Sequence, residues 1–164
     1  RNPYGYIGLG DIAVFLFFGL TGVLGTYFLH RHELSSGAVL IAIVLGLFCM
    51  GVLNLNNMRD MDNDRHCGKI TIPVQLGIAG AKKYHVFLII SGLTGATVFT
   101  VLNFKSVGQL IIFLVFPVFI RDIKAVSKIK EHQEFDPFLK KLSLSILAFS
   151  ILFTAGIFLI HDYK

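Results

Sequence analysis

Charge is what this chain of 164 residues is short of: only 15% of it is Asp, Glu, Lys or Arg, against 54% hydrophobic residues. That balance, with a mean hydropathy of +0.71, excludes an ordinary soluble domain, and the apolar residues come in runs. Cysteine is scarce too. Cys49 falls in an apolar run and Cys67 in a polar loop, so a disulfide is not expected and the spacing makes no zinc motif. The opening residues, Arg1-Asn2-Pro3, show neither an initiator Met nor a signal-peptide pattern, and the sequence reads as a piece that begins mid-chain.

What is there instead is a set of five apolar segments near 12–29, 38–57, 84–102, 107–120 and 142–160. About 17 to 25 residues of helix cross the hydrocarbon of a bilayer, and helices close their own backbone hydrogen bonds where no water is available. The expected fold class is therefore all-α, a polytopic transmembrane helix bundle of about five spans in a single membrane domain. The fourth run is short. It either borrows residues 103–106 or forms a thin or tilted span ending at Pro117.

The net charge of +5 is not the signature of a nucleic-acid binder, because it is sorted by loop. Twelve of the Lys and Arg residues fall at the N-terminus and in the loops 58–83 and 121–141; three, Arg31, Lys105 and Lys164, fall on the opposite side. The positive-inside rule then predicts that both charged loops face the cytoplasm and that the C-terminus lies outside, as for a protein of a bacterial inner membrane. Loop 121–141 reads as a solvated connection, helical near 123–129 and attracted to anionic lipid. Asp11 is placed to cap the first span. Gly19, Gly22, Gly25, Gly46, Gly51, Gly92 and Gly95 read as close-packing positions between helices, and most of the sixteen Phe residues as packing or lipid-facing bulk.

The polar block between the second and third runs breaks the pattern: Asn54-Leu-Asn56-Asn57-Met-Arg59-Asp60-Met-Asp62-Asn-Asp64-Arg65-His-Cys-Gly68-Lys69-Ile-Thr71. If the second helix continues to Asp64, then Asp60 and Asp64 share a face with Asn56 and Asn57 one turn earlier, while Asp62 points away to solvent. Carboxylates and amides so spaced, without Cys or His, suit a hard cation such as Mg²⁺ held together with substrate phosphates. Arg59, Arg65 and Lys69 stand by for phosphate oxygens. The bland alternative is that these charges cap a helix and pair with one another. An EF-hand is excluded, because Arg65 occupies the glycine position of such a loop and Thr71 the position of its closing glutamate.

The run Asn56-Asn57-Met-Arg59-Asp60-x-x-x-Asp64-Arg65-x-x-Gly68-Lys69-x-Thr71 resembles the second aspartate-rich motif of the UbiA-type intramembrane prenyltransferases. The paired asparagines, the Gly-Lys-x-Thr ending, Gly8-Leu-Gly10-Asp11 before Phe15-Leu-Phe17-Phe18-Gly19, and Gln75-Leu-Gly77 look most like the branch that prenylates 1,4-dihydroxy-2-naphthoate in menaquinone biosynthesis. The resemblance implies the last five helices of a nine-helix fold, without the first motif and the N-terminal half that carries it. It further implies Mg²⁺ at Asp60 and Asp64, a polyprenyl diphosphate gripped with help from Asn57, Arg59, Arg65 and Lys69, and a naphthoate acceptor that loses CO₂ to give demethylmenaquinone. Half a site should not catalyse alone. The competing readings are a sister enzyme with another aromatic acceptor, a non-enzymatic cation-handling membrane protein, and an inactive structural subunit.

Overall fold

The computed structural model describes residues 8–158, which are helical almost throughout and contain no strand. Arg1, Lys164 and the end of the last segment assigned from hydropathy lie outside the described residues. Among the described residues, four helices are long and apolar enough to cross a membrane: α1 (Gly10–Arg31), α2 (Ser36–Arg59), α4 (Ile72–Leu102) and the span His132–Phe158, whose α-helical part is α6 (Asp136–Phe158). Between α2 and α4 lies the short α3 (Met61–His66).

The fourth apolar segment takes a form that hydropathy did not suggest. Residues 103–106 form a turn, not helix, and Pro117 does not end the segment. A 3-10 helix, Val107–Val115, runs directly into α5 (Phe116–Val126), with Pro117 in the first turn of α5, where its missing N–H costs nothing. The tighter winding matters for length. Nine residues at about 2.0 Å rise and eleven at about 1.5 Å extend about 35 Å, of which the apolar part, 107–120, makes about 26 Å and the last turn and a half carries Arg121, Asp122 and Lys124.

Local signals fix most of the ends. Ser35 Oγ accepts from Ala38 N at 3.1 Å to start α2, and Thr71 Oγ1 accepts from Val74 N at 3.5 Å to start α4. Ser106 and Gln109 form a reciprocal capping box at the 3-10 helix. Gly77, at φ +66°, interrupts the first turns of α4; nothing crowds it, so the backbone angle rather than space calls for glycine there.

The core lies around α2, which packs against α1, α4 and α6. Phe48 is fully buried at its centre, stacked on Phe119 at 4.8 Å and edge-on to Phe149 at 5.4 Å. Some of the glycines permit close packing and others do not. A Cβ on Gly92 would fall 2.4 Å from the Phe48 ring, one on Gly19 would fall 2.6 Å from the Gly46 Cα, and Gly51 and Gly95 are similarly tight. Gly25 has nothing within 4 Å and Gly22 meets only its own helix, so the packing role expected of those two is not found. Much of Gly10–Arg31 is wound as a π-helix, Phe15–Gly25, and its flank bearing Phe17 and Phe18 is exposed.

This topology brings the start of α1, the end of α2, α3, the start of α4 and the start of α6 to one end of the bundle. Gly8 lies against Gln75 and Ile70 there, and Arg59 reaches Asp136.

Candidate functional site

The polar block sits at that end, on a broken helix. α2 stops at Arg59, and Asp60, at φ −93° and ψ 8°, separates it from α3, so the helix expected to run unbroken to Asp64 changes at Asp60. The hydrogen-bond ladder nevertheless bridges the break, from Asp60 N to Asn56 O at 3.0 Å and from Asp64 N to Asp60 O at 2.8 Å. The chain then turns back through Gly68, at φ +68°, which returns Lys69 to the Asp64 backbone (Lys69 N to Asp64 O, 2.8 Å).

Each carboxylate meets its own cation. Arg59 donates from Nε to Asp60 Oδ1 at 2.8 Å and from Nη2 to Oδ2 at 2.9 Å, a two-pronged pair. The guanidinium beside it, opposed in part by burial, holds the Asp60 carboxyl below the usual carboxylate range; Lys69 adds a further pull in the same direction. Lys69 Nζ itself donates to both oxygens of the buried Asp64, at 3.1 and 3.2 Å. Lys69 therefore acts on both carboxylates.

The two asparagines separate by role. Asn56 Oδ1 accepts from Arg59 Nη2 at 2.9 Å and looks into an apolar cavity of about 450 Å³ bounded by Val52, Leu139 and Ile146. Asn57 is buried and lines a second cavity of about 250 Å³ with Lys69, Thr71, Phe17 and Phe18. Val14, Phe18 and Leu53 border both cavities, so the two are adjacent. Arg65 is exposed and has no polar side-chain partner among the described residues. Asp62 is exposed, as expected, and stands 3.1 Å from His132 Nδ1.

Three parts of this end were not legible as site residues. Asp136 accepts from Arg59 Nη1 at 2.9 Å, which ties the start of α6 to the polar block. The loop that carries it is not the purely solvated connection expected: Asp122, Ile123, Val126 and Ile129 are buried, and Lys82 Nζ donates to the Ile129 carbonyl. Asp11 makes no capping hydrogen bond, since Leu9 occupies the cap position. It is buried instead, lines the smaller cavity, and accepts from the Tyr84 hydroxyl at 3.1 Å. The spacing that identified Asp60 and Asp64 carries no information about contacts across 77 or 73 residues.

A cation site can be judged on the donors present. No group of three or more His, Cys, Asp and Glu residues converges among the described residues. The available donors, two carboxylates and the Asn57 amide, are all oxygen and too few to fill a coordination shell, which fits a hard cation completed by water and phosphate oxygens.

The UbiA prenyltransferase family matches residues 2–147. The chain belongs to that family. It is 36% identical over 159 residues to the 1,4-dihydroxy-2-naphthoate octaprenyltransferase of Escherichia coli (strain K12), an overlap covering 97% of this chain and 52% of the relative. It is 38% identical over 156 residues to the protein of the same name from Haemophilus influenzae, covering 95% of this chain and 51% of that one. The UbiA prenyltransferase domain-containing protein 1 of Dictyostelium discoideum is 37% identical over 82 residues, 50% of this chain and 24% of the relative. The chain thus spans about half the length of the octaprenyltransferases it matches. No solved structure matches it.

Proposed function

We propose that the whole protein transfers a polyprenyl group from polyprenyl diphosphate to 1,4-dihydroxy-2-naphthoate, with loss of CO₂ and formation of demethylmenaquinone in its reduced, quinol form. The observation that carries this reading is one end of the bundle where Asp60 pairs with Arg59 and Asp64 with Lys69, beside two adjoining, mostly apolar cavities bordered by Lys69, Asn57 and Asn56 of the same polar block. Similarity to the named octaprenyltransferases along nearly the entire chain supports the choice of acceptor.

Asp60 and Asp64, aided by Asn57, would hold Mg²⁺, which when bound neutralises the charge that develops on the departing diphosphate. Arg59 and Lys69 turn from the carboxylates to the phosphate oxygens, with Arg65 nearby on the exposed side of α3. The larger cavity, lined by Val52, Leu139 and Ile146, suits an apolar prenyl chain, and Asn56 marks its polar mouth. Departure of diphosphate leaves an allylic cation, which the apolar surround protects from water until the ring attacks. The polar end faces the cytoplasm of a bacterial inner membrane in this reading. Residues 1–164 alone do not catalyse, because the relatives supply a further half.

The test is prenylation of 1,4-dihydroxy-2-naphthoate by the full-length protein in membranes, with Mg²⁺ and a polyprenyl diphosphate. Demethylmenaquinol from the parent, read as demethylmenaquinone after air oxidation, and none from correctly inserted Asp60→Ala and Asp64→Ala, is the expected result. A parent that prenylates only another aromatic acid overturns the acceptor, and a folded parent with no prenyl transfer overturns the reading.

A further inference from the structure

Asp11 is a buried carboxylate with a use that the diphosphate chemistry leaves open. It is 6% exposed, and among the described residues no cation stands within ion-pairing distance of it. Its one side-chain hydrogen bond comes from Tyr84, at Oδ1. The Tyr84 hydroxyl serves Oδ1 alone, and Asp11 lines the cavity, where a donor on an incoming molecule can serve Oδ2. The cavity on which Asp11 lies is lined by Phe17 and Phe18 as well as by Lys69 and Asn57, so whatever enters it stands beside the proposed diphosphate site. A flat aromatic ring bearing a hydroxyl matches that lining: an apolar body, and a donor for Oδ2.

We propose that Asp11 takes the hydroxyl proton of the aromatic acceptor and later gives it back, with Tyr84 positioning the carboxylate; the inference rests on the naphthoate reading above. Oδ2 removes the proton from the hydroxyl next to the carboxylated ring carbon, and the O–H electron pair moves into the ring. That ring carbon bonds to C1 of the prenyl group, whose C–O bond to diphosphate has broken with the pair leaving on diphosphate. The carbon now carries both prenyl and carboxylate groups, beside a ring carbonyl. Its bond to the carboxylate breaks, CO₂ leaves, the electron pair restores the aromatic ring, and Asp11 returns the proton to the ring oxygen. No net proton is gained or lost, so Asp11 needs no exchange with bulk water during the step.

The experiment uses the full-length protein in lipid nanodiscs under anaerobic conditions, comparing parent, Asp11→Asn and Tyr84→Phe. The amide introduced by D11N keeps an oxygen for the Tyr84 hydroxyl, so this variant retains the fold. Single-turnover prenylation of 1,4-dihydroxy-2-naphthoate should fall at least 100-fold in D11N, within the range of a lost general base, and about 3-fold to 10-fold in Y84F. The absorbance band of the ionised naphthol, read with the acceptor and a non-transferable thiodiphosphate donor bound, should be present in parent and Y84F and missing from D11N. Donor binding should stay within twofold in all three. A D11N protein that keeps the naphtholate band, or stays within threefold of the parent rate, overturns the inference while leaving the proposed function intact; equal loss of donor binding reduces Asp11 to a structural role and overturns it too. A parent that transfers no prenyl group to the naphthoate overturns the proposed function and this inference with it.

Discussion

The two ends of the bundle handle polar groups in opposite ways. At the end away from the polar block, demands are met within a few residues: Arg31 pairs with Glu33 at 3.2 Å, and Gln109 accepts from Lys105 and Ser106 while donating to the Asn103 carbonyl. At the other end the partners come from distant parts of the chain, Arg59 with Asp136 and Tyr84 with Asp11, and capacity is left over at Asn57 and Asp11, both facing a cavity. A closed end needs only to terminate helices. An end that recruits four elements and still turns polar side chains to a cavity has the organisation of a ligand site.

The sharpest way to break this contrast is at Asp64. It is buried and its cation is Lys69, so Asp64→Asn removes a negative charge from the proposed cation site while keeping the shape. Prenyl transfer by the full-length protein should fall at least about 100-fold, about 2.7 kcal/mol of transition-state stabilisation. Wild-type rates in D64N, with insertion verified, would mean that this end is no more functional than the other.

A smaller effect is expected where neither end is touched. Gly92→Ala drives a Cβ into the Phe48 ring, whose own stack on Phe119 leaves it little room, and should cost about 1 to 3 kcal/mol of stability. Gly25→Ala, in open space on α1, should cost almost nothing. Thermal denaturation of the two variants in the same detergent measures the difference, and equal losses would show that the glycine contacts do not govern packing.

Asp136 sharpens the contrast at finer grain. Its pair with Arg59 is exposed on the carboxylate side, so Asp136→Asn should cost at most about 1 kcal/mol and slow transfer no more than about fivefold. The Asp60 partner of the same guanidinium behaves differently with pH. Its carboxyl titrates below the usual value in the folded protein, so the pair's contribution is complete above the unfolded value of 3.8 and is lost as pH falls through the lower folded value. Thermal stability of the parent should decline more steeply than that of Asp60→Asn as pH is taken from about 5 to about 2.

How much of this was legible follows from the range of each interaction. Hydropathy runs mark α1, α2, α4 and α6 because each helix closes its own backbone bonds, a property of contiguous residues. The i to i+4 spacing of Asp60 and Asp64 is local as well, and the ladder from Asp60 O to Asp64 N preserves it even across the helix break. The break itself leaves no local mark: nothing in Arg59-Asp60-Met61 breaks a helix by propensity, whereas the Arg59 contacts to Asn56, Asp60 and Asp136 converge on that turn. Asp11 misleads for the opposite reason. An acid before an apolar run is the usual sign of a cap, and only the fold reveals Tyr84 beside it. The 3-10 winding of Val107–Val115 left no mark in composition at all, although a run too short for its role was itself a hint that the rise per residue is larger there.

The smallest expected effect is at the closed end, and it tests the contrast by its absence. Arg31 and Glu33 are two residues apart with side chains 64% and 60% exposed, so their attraction is screened and offset by the entropy of holding two long side chains in place. Arg31→Ala should change stability by less than about 0.5 kcal/mol and leave prenyl transfer by the full-length protein unchanged. The substitution also removes one of the few cations on that side of the bundle, which deepens the charge asymmetry between the two sides instead of eroding it, so insertion should stay as in the parent. A drop in transfer beyond about threefold, with normal insertion, would tie the closed end to the reaction and erase the distinction between the two ends.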